Sequence, residues 1–79
     1  MSERFTTRQG QYLAFIYHYT KINRRPPAEA DIQRYFEVLA PSVHQMVLAL
    51  EAGGYIERMP GQVRSLCVLV PLAQLPPLK

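Results

Sequence analysis

A single cysteine, Cys67, stands in the whole chain, and there is no tryptophan. One cysteine excludes an internal disulfide and fits a reducing compartment. The two histidines, His18 and His44, are isolated from it and from each other, so no metal-ligand spacing is present and no metal or other cofactor is expected. Cys67 has no histidine nearby to serve as its base, which removes nucleophilic catalysis, and no enzyme is expected. Long apolar runs are missing as well: nothing approaches the ~18 residues that a membrane helix needs. Residues 1–4 lead straight into a polar helix start with no secretory signal, so the expected setting is the cytoplasm.

What is present is a small domain. The 79 residues are 48% hydrophobic, enough for a core and too many for a disordered chain. A chain this short buries about 60–65% of its unfolded surface, which leaves little room for a deep catalytic pocket. The net charge is +3, unevenly spread. Arg4, Arg8, Lys21, Arg24 and Arg25 against Glu3 give residues 1–28 a net +4. Arg34 against Glu29, Asp31, Glu37, Glu51 and Glu57 gives residues 29–57 a net −4, and Arg58, Arg64 and Lys79 make the remainder +3. Basic ends around an acidic middle form one positive face if both ends fold to the same side.

Thr6-Thr7-Arg8-Gln9 has the capping-box pattern, with Phe5 before it as a staple. The helix it opens runs through Tyr12, Leu13, Phe15, Ile16 and Tyr19 to about Asn23, with the broad apolar side of a central helix. Pro26-Pro27 ends it after a basic Arg24-Arg25, because a residue before proline avoids helical geometry. A second helix is predicted over 29–36, its acids Glu29 and Asp31 at the positive end and Ile32, Tyr35 and Phe36 facing the core. Its N-cap, Ala28, offers no acceptor and forgoes about 1 kcal/mol.

After a tight turn through Glu37, Pro41 opens a third helix over about 41–52. Val43, Val47 and Leu50 recur at helical spacing on one side. Ser42, His44 and Gln45 are read on the other side as short, uncharged hydrogen-bonding groups, the chemistry that suits a DNA major groove. Gly53-Gly54 stops the helix, and Tyr55 to Met59 reads as a strand. Pro60-Gly61 marks a turn, and Val63 to Val70 reads as the returning strand with Leu66, Val68 and Val70 inward. Cys67 and Leu69 alternate with these, so that strand is apolar on both faces; the tail covers its outer face, or a partner such as a second copy does. The predicted fold is mainly α with a small β ribbon: a three-helix winged helix-turn-helix with a two-stranded wing over 1–70, followed by a proline-containing tail over 71–79.

Five local signatures in order now resemble the amino-terminal DNA-binding domain of the LexA repressor family. They are Phe5-Thr6-Thr7-Arg8-Gln9; Arg25-Pro26-Pro27 with Ala30-Asp31-Ile32; Ser42-Val43-His44; Leu50-Glu51 with Gly54-Tyr55-Ile56-Glu57-Arg58; and Pro60-Gly61 with Arg64-Ser65-Leu66. The resemblance covers about residues 5–70. It implies a bacterial, nucleoid-associated repressor that binds double-stranded DNA through its third helix. By position it places Ser42, His44 and Gln45 on base edges. It places Arg8, Arg25, Arg58 and Arg64 on phosphate or in the minor groove, with Gln62 and Ser65 beside them on the wing. Full-length members of that family continue into a self-cleaving protease domain with a serine nucleophile and a lysine base. A chain of this length is expected to be a short stand-alone relative without it, pairing as a homodimer through the apolar wing strand or the tail. Glu37 occupies a turn position where those repressors commonly carry glycine, which puts the turn geometry in question. The alternative reading is a winged-helix protein-interaction module that binds no DNA, motivated by a third helix with no Lys or Arg between Leu39 and Leu50.

Overall fold

The computed structural model describes residues 5–79, and residues 1–4, read above as a lead-in without a secretory signal, lie outside the described residues. The chain runs α1 (Thr7–Asn23), α2 (Glu29–Phe36), α3 (Ala40–Ala52), β1 (Ile56–Glu57) and β2 (Cys67–Val68), with a short 3-10 turn, Leu72–Gln74, in the tail. This is the predicted architecture, with three helices and a two-stranded antiparallel ribbon.

Each helix is bounded by local chemistry. At α1 the Thr6 hydroxyl accepts the Gln9 amide at 3.0 Å, and the Thr6 amide donates to the Gln9 side chain at 2.9 Å, so the capping box forms as expected. Ala28 gives α2 no side-chain cap, yet the Asp31 carboxylate accepts the Ala28 amide at 2.8 Å and supplies the other half of that motif. α3 starts at Ala40, with Pro41 in its first turn where a missing amide is harmless. Glu37 ends α2 in the left-handed region, at φ 55°. The turn therefore keeps the conformation that glycine adopts most easily, and a glutamate bears the steric strain of about 1–2 kcal/mol.

The three helices enclose one core. Tyr12, Leu13, Ile16, Ile32, Val43, Val47, Leu50 and Ile56 are almost wholly buried, and Leu66 joins them from the wing. α1 is buried continuously from Tyr12 to Ile16, as a central helix must be. Tyr12 stacks on Phe36 with ring centroids 4.4 Å apart and planes 3° apart. Tyr35, expected inside, is 43% exposed: it lies over Phe15 and turns its hydroxyl to the carbonyl of Lys79.

The wing is shorter than its sequence suggested. Only Ile56 opposite Val68 and Glu57 opposite Cys67 pair as strand, against predicted strands over 55–59 and 63–70. Between them the chain leaves the ladder for a turn closed by one side chain and one backbone bond. The Ser65 hydroxyl accepts the Met59 amide at 2.8 Å, the Gln62 amide closes a turn on the Met59 carbonyl at 3.1 Å, and Gly61 supplies φ 84°.

The tail crosses α1 and does not cover the outer strand face. The Gln11 side chain donates to the Pro77 carbonyl and accepts the Lys79 amide, both at 2.9 Å, and Leu75 and Leu78 pack on the core. Gly10 permits this approach: a Cβ there would stand 3.0 Å from both Phe5 and Pro76. Cys67 stays exposed and Leu69 is 50% exposed.

Candidate nucleic-acid interface

Helical geometry divides the residues of α3 into three groups. Val43, Val47 and Leu50 face inward and are fully buried. Ser42, Gln45, Met46 and Ala49 follow the i, i+3, i+4, i+7 spacing of a single stripe and line an open groove with Pro41. Thr6 and Gln9, at the amino end of α1, close the other side of that groove. The stripe carries no charge; it offers one hydroxyl, one carboxamide and two apolar side chains.

His44 stands apart from Ser42 and Gln45. At about 100° per residue it lies about 200° around the helix from Ser42. Its Nδ1 sits 3.3 Å from both carboxylate oxygens of Glu29, on α2. The structure thus brings two of the three expected base-reading groups together and turns the third toward the neighbouring helix.

The basic residues separate in the same way. Arg8 is exposed on the first turn of α1, its guanidinium carbon 5.8 Å from the centre of the Tyr12 ring. Arg25 is exposed in the loop before Pro26. Arg58, at the start of the wing, donates through Nε to Glu51 at 2.9 Å, which orients it at the end of α3. Arg64 is occupied from within: its Nη1 lies 2.9 Å from Asp31 Oδ2 and 3.3 Å from both the Tyr19 hydroxyl and the Pro26 carbonyl. Gln62 is exposed at the wing tip, whereas Ser65 is half-buried and holds the turn.

Asp31 is the most heavily engaged ionisable group of the site. Burial pushes its carboxyl up, but the Ala28 amide and the Arg64 guanidinium, with help from Arg34, outweigh burial and hold it below its ordinary value of 3.8. Among the described residues no group of three or more His, Cys, Asp or Glu gathers where a metal ion would sit. No helix among them is long and apolar enough to cross a membrane.

The family model described as "LexA DNA binding domain" matches residues 2–65. The chain belongs to the LexA DNA-binding domain family. It is 37% identical over 67 residues to a LexA repressor of Thermosipho africanus, covering 85% of this chain and 34% of that protein. Against a LexA repressor of Thermotoga petrophila it is 38% identical over 63 residues, covering 80% of this chain and 32% of the relative. The chain therefore spans about a third of the length of the curated relatives it matches.

Within this LexA-family domain, sequence reasoning missed Met46, Ala49, Thr6 and Gln9 as members of the exposed groove. The signal for the first two was present, since 42, 45, 46 and 49 make a helical stripe as regular as the buried one. Thr6 and Gln9 carried none, because only the folded chain sets the start of α1 beside α3.

Proposed function

We propose that this LexA-family domain is a sequence-specific double-stranded DNA-binding transcriptional regulator of repressor type that inserts α3 in the major groove. The reading is carried by the uncharged stripe of Ser42, Gln45, Met46 and Ala49, which the fold leaves open beside the amino end of α1. Gln45 has the chemistry to pair bidentately with adenine, Ser42 suits either donors or acceptors, and the apolar side chains suit a thymine methyl. Arg8, Arg25 and Arg58 hold phosphate, giving affinity without sequence choice. His44 lies outside the groove, and its contact with Glu29 contributes orientation of the helix pair. Gln62 serves the wing tip. The family likeness and the repressor names of the relatives support this reading of the chain.

Two copies on paired half-sites would bring six such arginines to phosphate, and the log–log slope of affinity against salt would be about −5. Fluorescence anisotropy on a randomised duplex pool at two salt concentrations tests this: salt-sensitive enrichment of a short palindrome is the expected result. Gln45→Ala should weaken binding to the enriched site by about 1–3 kcal/mol and relax the preference at one base pair. A folded protein that binds no duplex at low salt would transfer the function to protein capture through the exposed Met59, Val63 and Leu69.

A further inference from the structure

Arg64 stands in the returning limb of the wing, where the resemblance implies a phosphate or minor-groove contact. Its guanidinium points the other way. One nitrogen, Nη1, meets oxygens from three separate parts of the chain: Asp31 of α2, the Tyr19 hydroxyl of α1, and the Pro26 carbonyl of the loop between them. Its strongest partner is itself fixed, because Asp31 also accepts the Ala28 amide at the start of α2. The Asp31 side chain is 13% exposed and that of Arg64 34%, so the carboxylate side of the pair is shielded while the guanidinium remains partly open to solvent.

The wing also meets the helices elsewhere: Arg58 binds Glu51 of α3, and Tyr55, Val68 and Val70 pack against the core. Two residue pairs make up its ladder, and Leu66 is its one wholly buried apolar anchor on the returning limb. Leu66, Val68 and Val70 set where that limb meets the core, but all three follow Arg64 in the chain, and the turn precedes it. Met59, Gln62 and Val63 at that turn are exposed.

We propose that Arg64 is a positioning residue for the wing: its guanidinium ties the returning limb to Asp31, Tyr19 and Pro26 and so holds the tip, residues 59–63, at a fixed angle to α3. Its effect on DNA affinity rests on the proposed function above; the clamp itself does not. Arg64 then contributes no phosphate contact, and Asp31, which does not line the groove of α3, matters to binding through it.

Two measurements on the wild type, Arg64→Ala, Asp31→Asn and the double variant test this. The first is amide hydrogen exchange in the free protein, where Arg64→Ala should speed exchange at Met59 and Gln62 about tenfold while α1–α3 amides keep their rates. The second is DNA affinity across a salt series, where Arg64→Ala should bind about tenfold more weakly with the wild-type salt slope. Asp31→Asn should reproduce both changes, and the double variant should lose no more than either single one. A fall of about 0.9 in the salt slope for Arg64→Ala, with wing exchange unchanged, would make Arg64 a phosphate contact and overturn the proposal. Faster exchange throughout the helices would overturn it too, by making Arg64 a general stabiliser. If the wild type binds no DNA, the proposed function fails on its own, and the exchange comparison still decides the clamp.

Discussion

The helix-turn-helix and the wing are held by different physics. α1, α2 and α3 enclose Leu13, Ile16, Ile32, Val43, Val47 and Leu50, each with no exposed surface, so burial of apolar area stabilises them. The wing contributes Ile56 and Leu66 to that core and hangs the rest of its turn on side-chain hydrogen bonds from Ser65 and Arg64. Apolar burial is collective and tolerates local change. A polar clamp is specific, and a single substitution removes it. The difference matters because the candidate base-reading groups ride on the first region and the wing contacts on the second.

The largest effect should come from the apolar region. Ile32→Ala leaves a cavity where α2 meets the core and should destabilise by about 3 kcal/mol, a large part of what a domain this small possesses. Chemical denaturation would show it, and a loss well under 1 kcal/mol would mean the helices are not held as described. Ser65→Ala comes next. It leaves the exposed Met59 amide to water and should lower stability by about 1 kcal/mol or less, with the faster exchange confined to the wing. Core amides that follow Met59 would erase the distinction between the two regions.

A smaller change of opposite sign is expected at the turn. Glu37→Gly removes a side chain from a left-handed residue and should raise the thermal midpoint by relief of about 1 kcal/mol of strain. An unchanged or lower midpoint would mean that the glutamate makes up its strain elsewhere. The smallest effect belongs to acid. The Asp31 carboxyl is held below 3.8 in the folded chain, so its contribution is complete above that pH and disappears as pH falls through the lowered value. Stability of the wild type should therefore decline below about pH 3.8 more steeply than that of Asp31→Asn. Parallel acid limbs would show that Asp31 does not link α2 to the wing.

The same division explains what was legible beforehand. The boundaries of α1 and α2 follow from Thr6 and Gln9, from Pro26-Pro27 and from the periodicity of Ile32 and Phe36, and the helices formed where these signals stood. The strand extents do not, because the alternation of apolar residues over 63–70 predicts a ladder, whereas Ser65 and Arg64 make their side-chain bonds off it. The uncharged stripe on α3 was half legible. Ser42 and Gln45 share it, whereas His44, which family position groups with them, is carried by helical rotation toward Glu29.

Sequence alone determined the helices, the order of the elements and the family, because caps, prolines and apolar periodicity act between residues a few positions apart. Tertiary structure alone decided which polar groups are free. Arg64 and Asp31 are 33 residues apart in the chain, Gln11 and Lys79 are 68 apart, and no local pattern announces either pair. An arginine in sequence is a charge with a reach of several ångströms. Whether it meets phosphate or its own protein depends on which carboxylate the fold brings within that reach first.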